Sequence, residues 1–169
     1  MKRVLVAGIG NVFCGDDAFG CAVARELLLR RLPAGVSVRD FGIRGFDLAC
    51  ALLDGYDAAI LVDAMARGRA PGSLYLLEPT LPAAESGGGV WDGHGLTPER
   101  VLKMLVALGG KPPFLRVVGC EPAELGSELE PRGELSDVVS ASVPQAVALV
   151  LELLAELGVG SSAEASCHA

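Results

Sequence analysis

The chain has 169 residues, 51% of them hydrophobic and 21% charged, which suits one compact domain and excludes a disordered one. Fourteen basic against 21 acidic residues give a formal net charge of −7, which opposes a phosphate backbone and argues against nucleic-acid binding. Apolar runs such as Ala58 to Val62 fall far short of the roughly 20 residues of a bilayer span, and the apolar part of MKRVLVAGIGN is too short for a signal peptide, so no membrane association and a cytoplasmic location are expected.

A short β-branched run, Arg3 to Ala7, ends in Gly8-Ile9-Gly10 and reads as a buried strand entering a tight turn. Beyond Asp17, residues Phe19, Ala22, Val23 and Leu27 recur at helical spacing, which predicts a helix to about Leu32, before Pro33. Val36 to Phe41 alternates weakly as a second strand, and Phe46 to Asp54 reads as a short helix closed by Gly55. Ala58 to Val62 is continuously apolar and is capped by Asp63, the pattern of a central parallel strand covered on both faces. Ser73 to Leu77 is a further strand. The stretch from Glu78 to Gly95, rich in Pro, Gly and Ala, is a long loop holding Trp91 and His94. Thr97 as N-cap and Pro98 at the first position open a helix that Gly109-Gly110 ends. Leu115 to Cys120 is the last strand, Glu121 to Gly133 is irregular, and Val138 to Leu157 is an amphipathic helix that Pro144 kinks or truly begins. Residues 1–157 thus form a single α/β domain, and 158–169 a frayed, flexible tail.

Alternating strands and helices imply a three-layer sandwich, a mostly parallel twisted sheet with helices on both faces. Such sheets carry their sites along the carboxyl edge, to which Gly8–Gly20, Asp63 and the His94 loop all lead. The five cysteines are odd in number and never spaced C-x-x-C, so reduced, mostly buried thiols are expected. Gly8-Ile9-Gly10 resembles a dinucleotide-binding turn, but Phe13 stands where a third glycine is needed, and Asp16-Asp17 would face the pyrophosphate.

Asp16 and Asp17 suit caps of helical N–H groups, and one of the two is free to project across the sheet edge. Asp63, half buried at a strand end, needs a cation, a cluster of backbone donors or a metal, since an unpaired buried carboxylate is costly; simple capping of local N–H groups is the plainer account. His94 sits between Gly93 and Gly95, which permit close backbone approach, although an average loop histidine is merely solvated. Asp17, Asp63 and His94 together would make an open site for a divalent ion such as nickel or zinc, with positions left for substrate. His168, beside Cys167 in the tail, is incidental. No G-x-S-x-G elbow is present, and a Cys–His pair would require Cys14 or Cys120 beside His94.

VLVAGIGNVFCGDDAFG (Val4 to Gly20) resembles the N-terminal signature of the hydrogenase maturation proteases, endopeptidases that process nickel-iron hydrogenase large subunits. ILVDA (Ile60 to Ala64), HGL (His94 to Leu96) and VVGCEP (Val117 to Pro122) are similar to that family's later blocks, in the same order. The resemblance implies that Asp17, Asp63 and His94 bind nickel and carry catalysis. The nickel is one already inserted in the large-subunit precursor, so the metal belongs to the substrate; zinc or cadmium would substitute in the isolated protein. It further implies removal of a short C-terminal extension from that precursor; the chain itself is expected to be a monomer. A chaperone that inspects the metal without cutting, or a nucleotide-binding α/β module, are the alternative functions. Two departures from the family pattern are Asp17, where some relatives have Glu, and Gly42-Ile43-Arg44-Gly45, where many carry Gly-Thr-x-Gly.

Overall fold

Every residue of strand β1 (Val4–Ile9) is buried, as a β-branched run between two flanking strands should be. The computed structural model describes residues 1–79, 96–126 and 129–159. After β1 come a 3-10 turn (Asp16–Ala18) and helix α1 (Phe19–Leu28), then β2 (Val36–Gly42), α2 (Gly45–Leu52), β3 (Ala58–Ala64) and β4 (Leu74–Leu77). Helix α3 (Pro98–Ala107), β5 (Phe114–Cys120) and α4 (Asp137–Glu156) complete the order. The strands form one sheet in the order β2-β1-β3-β5-β4, parallel except for β4, which runs antiparallel to β5.

The strand period of two splits the core into two layers. Val4, Val6, Ile60 and Val62 face α1 and α4, where Phe19, Val23, Leu27, Val147 and Leu154 meet them. Leu5, Ala7, Ala59 and Leu61 face α2 and α3, against Leu48, Leu52, Val101 and Leu105. This is the expected three-layer sandwich. Aliphatic side chains of modest size fill both layers, so helices must approach the sheet closely, and glycines permit it. A Cβ on Gly20 would fall 2.0 Å from the Val62 carbonyl oxygen and 2.3 Å from that of Ile9, and one on Gly8 would fall 2.4 Å from the Gly20 carbonyl oxygen. The first turn of α1 therefore rests directly on the ends of β1 and β3.

Several elements differ from expectation. Helix α1 stops at Leu28 rather than near Leu32, because its apolar stripe ends at Leu27; Leu29 is exposed, and Arg30 N–H closes a turn on the Leu27 carbonyl at 3.0 Å. Thr97 caps α3 as expected, its Oγ1 accepting from Arg100 N–H at 3.3 Å. Pro144 lies inside α4, seven positions after its first residue, so it does not mark the start of the helix. Helix α4 is also the one described helix long and apolar enough to cross a membrane, with a mean hydropathy of 1.8 over its best window, a property that the short apolar runs of the sequence do not reveal. Its apolar stripe from Val139 to Leu154 is buried against α1 and the sheet. Val159, expected in the frayed tail, is instead buried in the α1–α4 layer. The remainder of that tail, with Cys167 and His168, lies outside the described residues, as does most of the long loop, with Trp91 and His94.

Gly20→Ala tests the close approach. Alanine is the better helix former by about 1 kcal/mol, yet its methyl has no space here, so net destabilisation of about 2 kcal/mol or more is expected in urea unfolding.

Candidate active site

In the sheet order, the chain leaves β1 toward β2 on one side, while β3 leads to β5 and β4 on the other. The crevice between the ends of β1 and β3 is thus the switch point where open α/β sheets hold their ligands. The turn after β1 is shaped there by the chain itself. Gly10, at φ +143°, has no room for a side chain because a Cβ would meet the Asp17 carbonyl oxygen at 1.8 Å, and its N–H donates to the Gly42 carbonyl at 3.0 Å. The space that a pyrophosphate would occupy above a glycine-rich turn is filled by the Asp17 backbone, which disfavours the nucleotide-binding reading.

The adjacent acids take different duties, and neither side chain caps its own helix. Asp16 is fully buried and turns away from the crevice. Its Oδ2 accepts from Ala123 N–H (2.8 Å), Glu124 N–H (2.9 Å) and the Ser136 hydroxyl (2.9 Å), and its Oδ1 accepts from Ser136 N–H (2.7 Å). Burial pushes its pKa up, but the donors from Glu124, Ser136 and Ala123 outweigh that and hold it below the usual 3.8. Asp16 therefore clamps the segment between β5 and α4. Asp17 is half buried, and its Oδ2 accepts from Asn11 N–H at 2.8 Å, fixing the turn after β1.

Asp63 continues the series Ala59, Leu61 along β3 and so faces the α2–α3 layer, with only 6% of its surface exposed. Burial first, then the negative charge of Asp17, pushes its carboxyl well above 3.8; Ala64 N–H opposes the shift by hydrogen bonding, and Glu99 in the first turn of α3 adds to it. The charges that bear on Asp63 are thus negative, the reverse of the partner cation that burial calls for. The structure brings Asp17 and Asp63 to the same crevice. His94 lies outside the described residues, but Leu96 closes on the same edge, where a Cβ on Gly45 would fall 2.1 Å from its Cδ1. Among the described residues no group of three His, Cys, Asp or Glu side chains is gathered as a metal site.

Sequence reasoning passed over Glu121, in the turn after β5. This buried carboxylate accepts from Arg67 N–H (2.8 Å), Gly68 N–H (3.1 Å) and the Tyr75 hydroxyl. Tyr75 is the first cause of its lowered pKa. The signal lay in the rarity of an acid directly after a buried strand, the same signal that marked Asp63. Two buried cysteines, Cys21 and Cys120, are by contrast held as thiols. Cys14, Cys21, Cys50 and Cys120 form no disulfide; burial raises the pKa of Cys120, and burial with the Asp40 carboxylate pushes Cys21 up to about 12. Cys120 points into the α1–α4 layer, on the face opposite Asp63, which removes it as a partner for catalysis there.

A family model described as hydrogenase maturation protease matches residues 21–153. The chain is 31% identical over 169 residues to the Hydrogenase 2 maturation protease of Escherichia coli (strain K12), covering 98% of this chain and 99% of that protein. It is 33% identical over 158 residues to the hydrogenase expression/formation protein HupM of Azotobacter chroococcum mcd 1, covering 93% and 74%. Among solved structures, the hydrogenase maturating endopeptidase HybD from E. coli aligns with a TM-score of 0.75 at 30% identity, over 94% of this chain and 95% of that one. The [NiFe] hydrogenase maturation protease HycI from Thermococcus kodakarensis KOD1 aligns at 0.64 with 26% identity, over 91% and 93%.

Two substitutions should move stability in opposite directions with pH. The Asp16 carboxylate contributes stability above the unfolded pKa of 3.8 that is lost as pH falls through its lowered folded pKa, so Asp16→Ala should cost about 3 kcal/mol at neutral pH and progressively less in acid. Asp63 has a raised folded pKa, so the wild type loses stability as pH rises from 3.8 through that value. Asp63→Asn removes this loss, and its melting temperature should exceed that of the wild type at neutral pH by about 2–4 °C, the difference vanishing in acid.

Proposed function

This chain belongs to the hydrogenase maturation protease family and is a peptidase, and from that premise we propose that it removes a C-terminal extension from the nickel-loaded precursor of a nickel-iron hydrogenase large subunit. The observation that carries this reading is the charge coupling of Asp17 with Asp63 across the crevice between β1 and β3. A buried carboxyl whose ionisation is opposed first by burial and then by a neighbouring carboxylate forms, with that neighbour, a place where a divalent cation is welcome. In the proposed reaction that cation is the precursor's own nickel, met by Asp17, Asp63 and His94. It enters and leaves with the substrate.

The division of labour follows from the environments of the side chains. Asp17, partly exposed and tied to Asn11 N–H through one oxygen, keeps its other oxygen for the metal. Asp63 holds a proton to higher pH than an ordinary aspartate, so it can give one up as the nickel docks and manage proton transfer during attack on the scissile carbonyl. His94 supplies the imidazole, a fitting ligand for nickel. The bound metal polarises a carbonyl or a water and holds the cleavage segment in register with these groups. A reducing, cytoplasmic compartment for this step is in keeping with four cysteines that lie outside disulfides.

The test is incubation with nickel-loaded precursor, read by intact-mass spectrometry. The precursor should shorten by its extension, the nickel-free form should stay intact, and Asp17→Ala, Asp63→Asn and His94→Ala should each lose about 100-fold or more in rate. Binding without any change of mass would instead indicate an inspecting chaperone. Full cleavage by His94→Ala would refute the ligand set.

A further inference from the structure

Positive charge collects at the carboxyl edge in the turn after β3. Arg67 and Arg69 lie in it, and both guanidinium carbons stand over one ring, that of Tyr75, at 5.8 and 5.3 Å from its centroid. The ring belongs to the same face of the sheet as Asp63. Asp63 pairs in register with Gly119, and Gly119 with Tyr75, so the three form a row across β3, β5 and β4. Two strand spacings of roughly 4.8 Å put Tyr75 about 10 Å from Asp63 along that row. The middle position has no side chain, and its neighbours close over it: a Cβ on Gly119 would fall 2.9 Å from Met65 Sδ and 3.4 Å from Tyr75 Cδ2. The turn is tied at both ends and in its middle. Met65 N–H donates to the Cys120 carbonyl and Gly72 N–H to the Glu121 carbonyl, each at 2.8 Å, while the Glu121 carboxylate takes the N–H groups of Arg67 and Gly68 and the Tyr75 hydroxyl.

We infer that Arg67 and Arg69 form an anion-binding pair that grips a carboxylate of the extension removed from the precursor. The inference rests on the proteolytic reading above and adds a point of attachment for the substrate apart from its metal. Both cations are available. The ion pairs among the described residues engage Arg25, Arg44, Arg116 and Arg132, and neither Arg67 nor Arg69, which are both exposed. The Glu121 carboxylate binds main-chain N–H groups and a hydroxyl rather than a guanidinium. In a chain of net charge −7, two guanidiniums held at one ring beside the site select an anion. Carboxylates are the anions that an unmodified polypeptide carries, and a planar guanidinium meets one through two parallel hydrogen bonds. The extension is the part that needs this grip. Under the proteolytic reading the rest of the precursor is anchored through its nickel, whereas the extension brings no metal and is held by the enzyme's side chains alone.

Steady-state cleavage of nickel-loaded large-subunit precursor by the full chain tests the pair. Arg67→Gln/Arg69→Gln should raise KM about tenfold with kcat within about twofold. Arg67→Lys/Arg69→Lys, which keeps the charge without the planar fork, should raise it only about threefold. Arg31→Gln, which removes an exposed cation beyond the far end of α1, should leave both parameters as they are. Because the contact is between charges, the KM gap between the wild type and the double Gln variant should narrow as salt is raised. Two altered precursors identify the carboxylate: one whose extension has Asn and Gln in place of its Asp and Glu, and one whose terminal carboxylate is carried away on an added Gly-Ser tail. One of the two should bring the wild-type KM up to that of the double Gln variant. Should that variant melt below the wild type, Arg69→Gln alone should still raise KM about threefold. A KM within error of the wild type in a well-folded double variant, a loss confined to kcat, a loss matched by Arg31→Gln, a gap that salt leaves unchanged, or an unchanged KM for both altered precursors each overturns the pair while leaving the proteolytic reading intact. A wild type that cuts no precursor overturns both.

Discussion

Everything at the carboxyl edge depends on backbone meeting backbone where α1 lands on the sheet. Gly20 lies so close to the carbonyls of Val62 and Ile9 that no side chain fits between them, and Gly8 and Gly10 give way to α1 and its preceding turn in the same manner. The contact exchanges the entropic cost of glycine for proximity. Because α1 rests on the ends of both β1 and β3, the 3-10 turn before it is carried to the crevice, and Asp17 comes within electrostatic reach of Asp63. A helix standing off the sheet at the usual side-chain distance would leave the two acids to separate loops.

The same landing explains how neighbouring identical residues can do opposite things. In a 3-10 turn, side chains on successive residues point in well-separated directions. Asp16 goes inward to gather four donors and is kept ionised by them; Asp17 goes outward to the crevice. Glu121 repeats the inward role on the far side of the edge, collecting the turn after β3 as Asp16 collects the segment after β5. Two buried carboxylates with satisfied hydrogen bonds thus organise the loops around a third, Asp63, whose environment resists its charge.

Much of this was legible in the residues. The strand and helix periods gave five strands and four helices close to their observed bounds, because burial on both faces leaves unmistakable apolar runs such as Ala58–Val62. Asp63 stood out since a charge after five apolar residues has to be either costly or useful. The parts that stayed hidden depend on long-range partners. Nothing local to Asp16-Asp17 says which acid will find Ser136, 120 positions away, and capping, the plain local expectation, proved to be neither side chain's role. Glu121 was missed for the same reason, as its donors come from Arg67 and Gly68, more than 50 residues earlier. The sequence pattern extends helix α1 too far because Leu28 and Leu29 look like core residues in one dimension, although both are exposed.

The mutual repulsion of Asp17 and Asp63 carries a thermodynamic consequence for selectivity. Burial and the Asp17 carboxylate oppose ionisation of Asp63, and a ligand that brings positive charge relieves that opposition, so under the proposed reaction a thermodynamic cycle around loaded and empty substrate shows the difference as binding preference. Under the proposed reaction the enzyme needs no separate sensor for whether its substrate is complete. Its resting site is set against ionisation, and a substrate lacking its cation leaves that debt standing, which makes the discrimination a property of two aspartates rather than of any moving part.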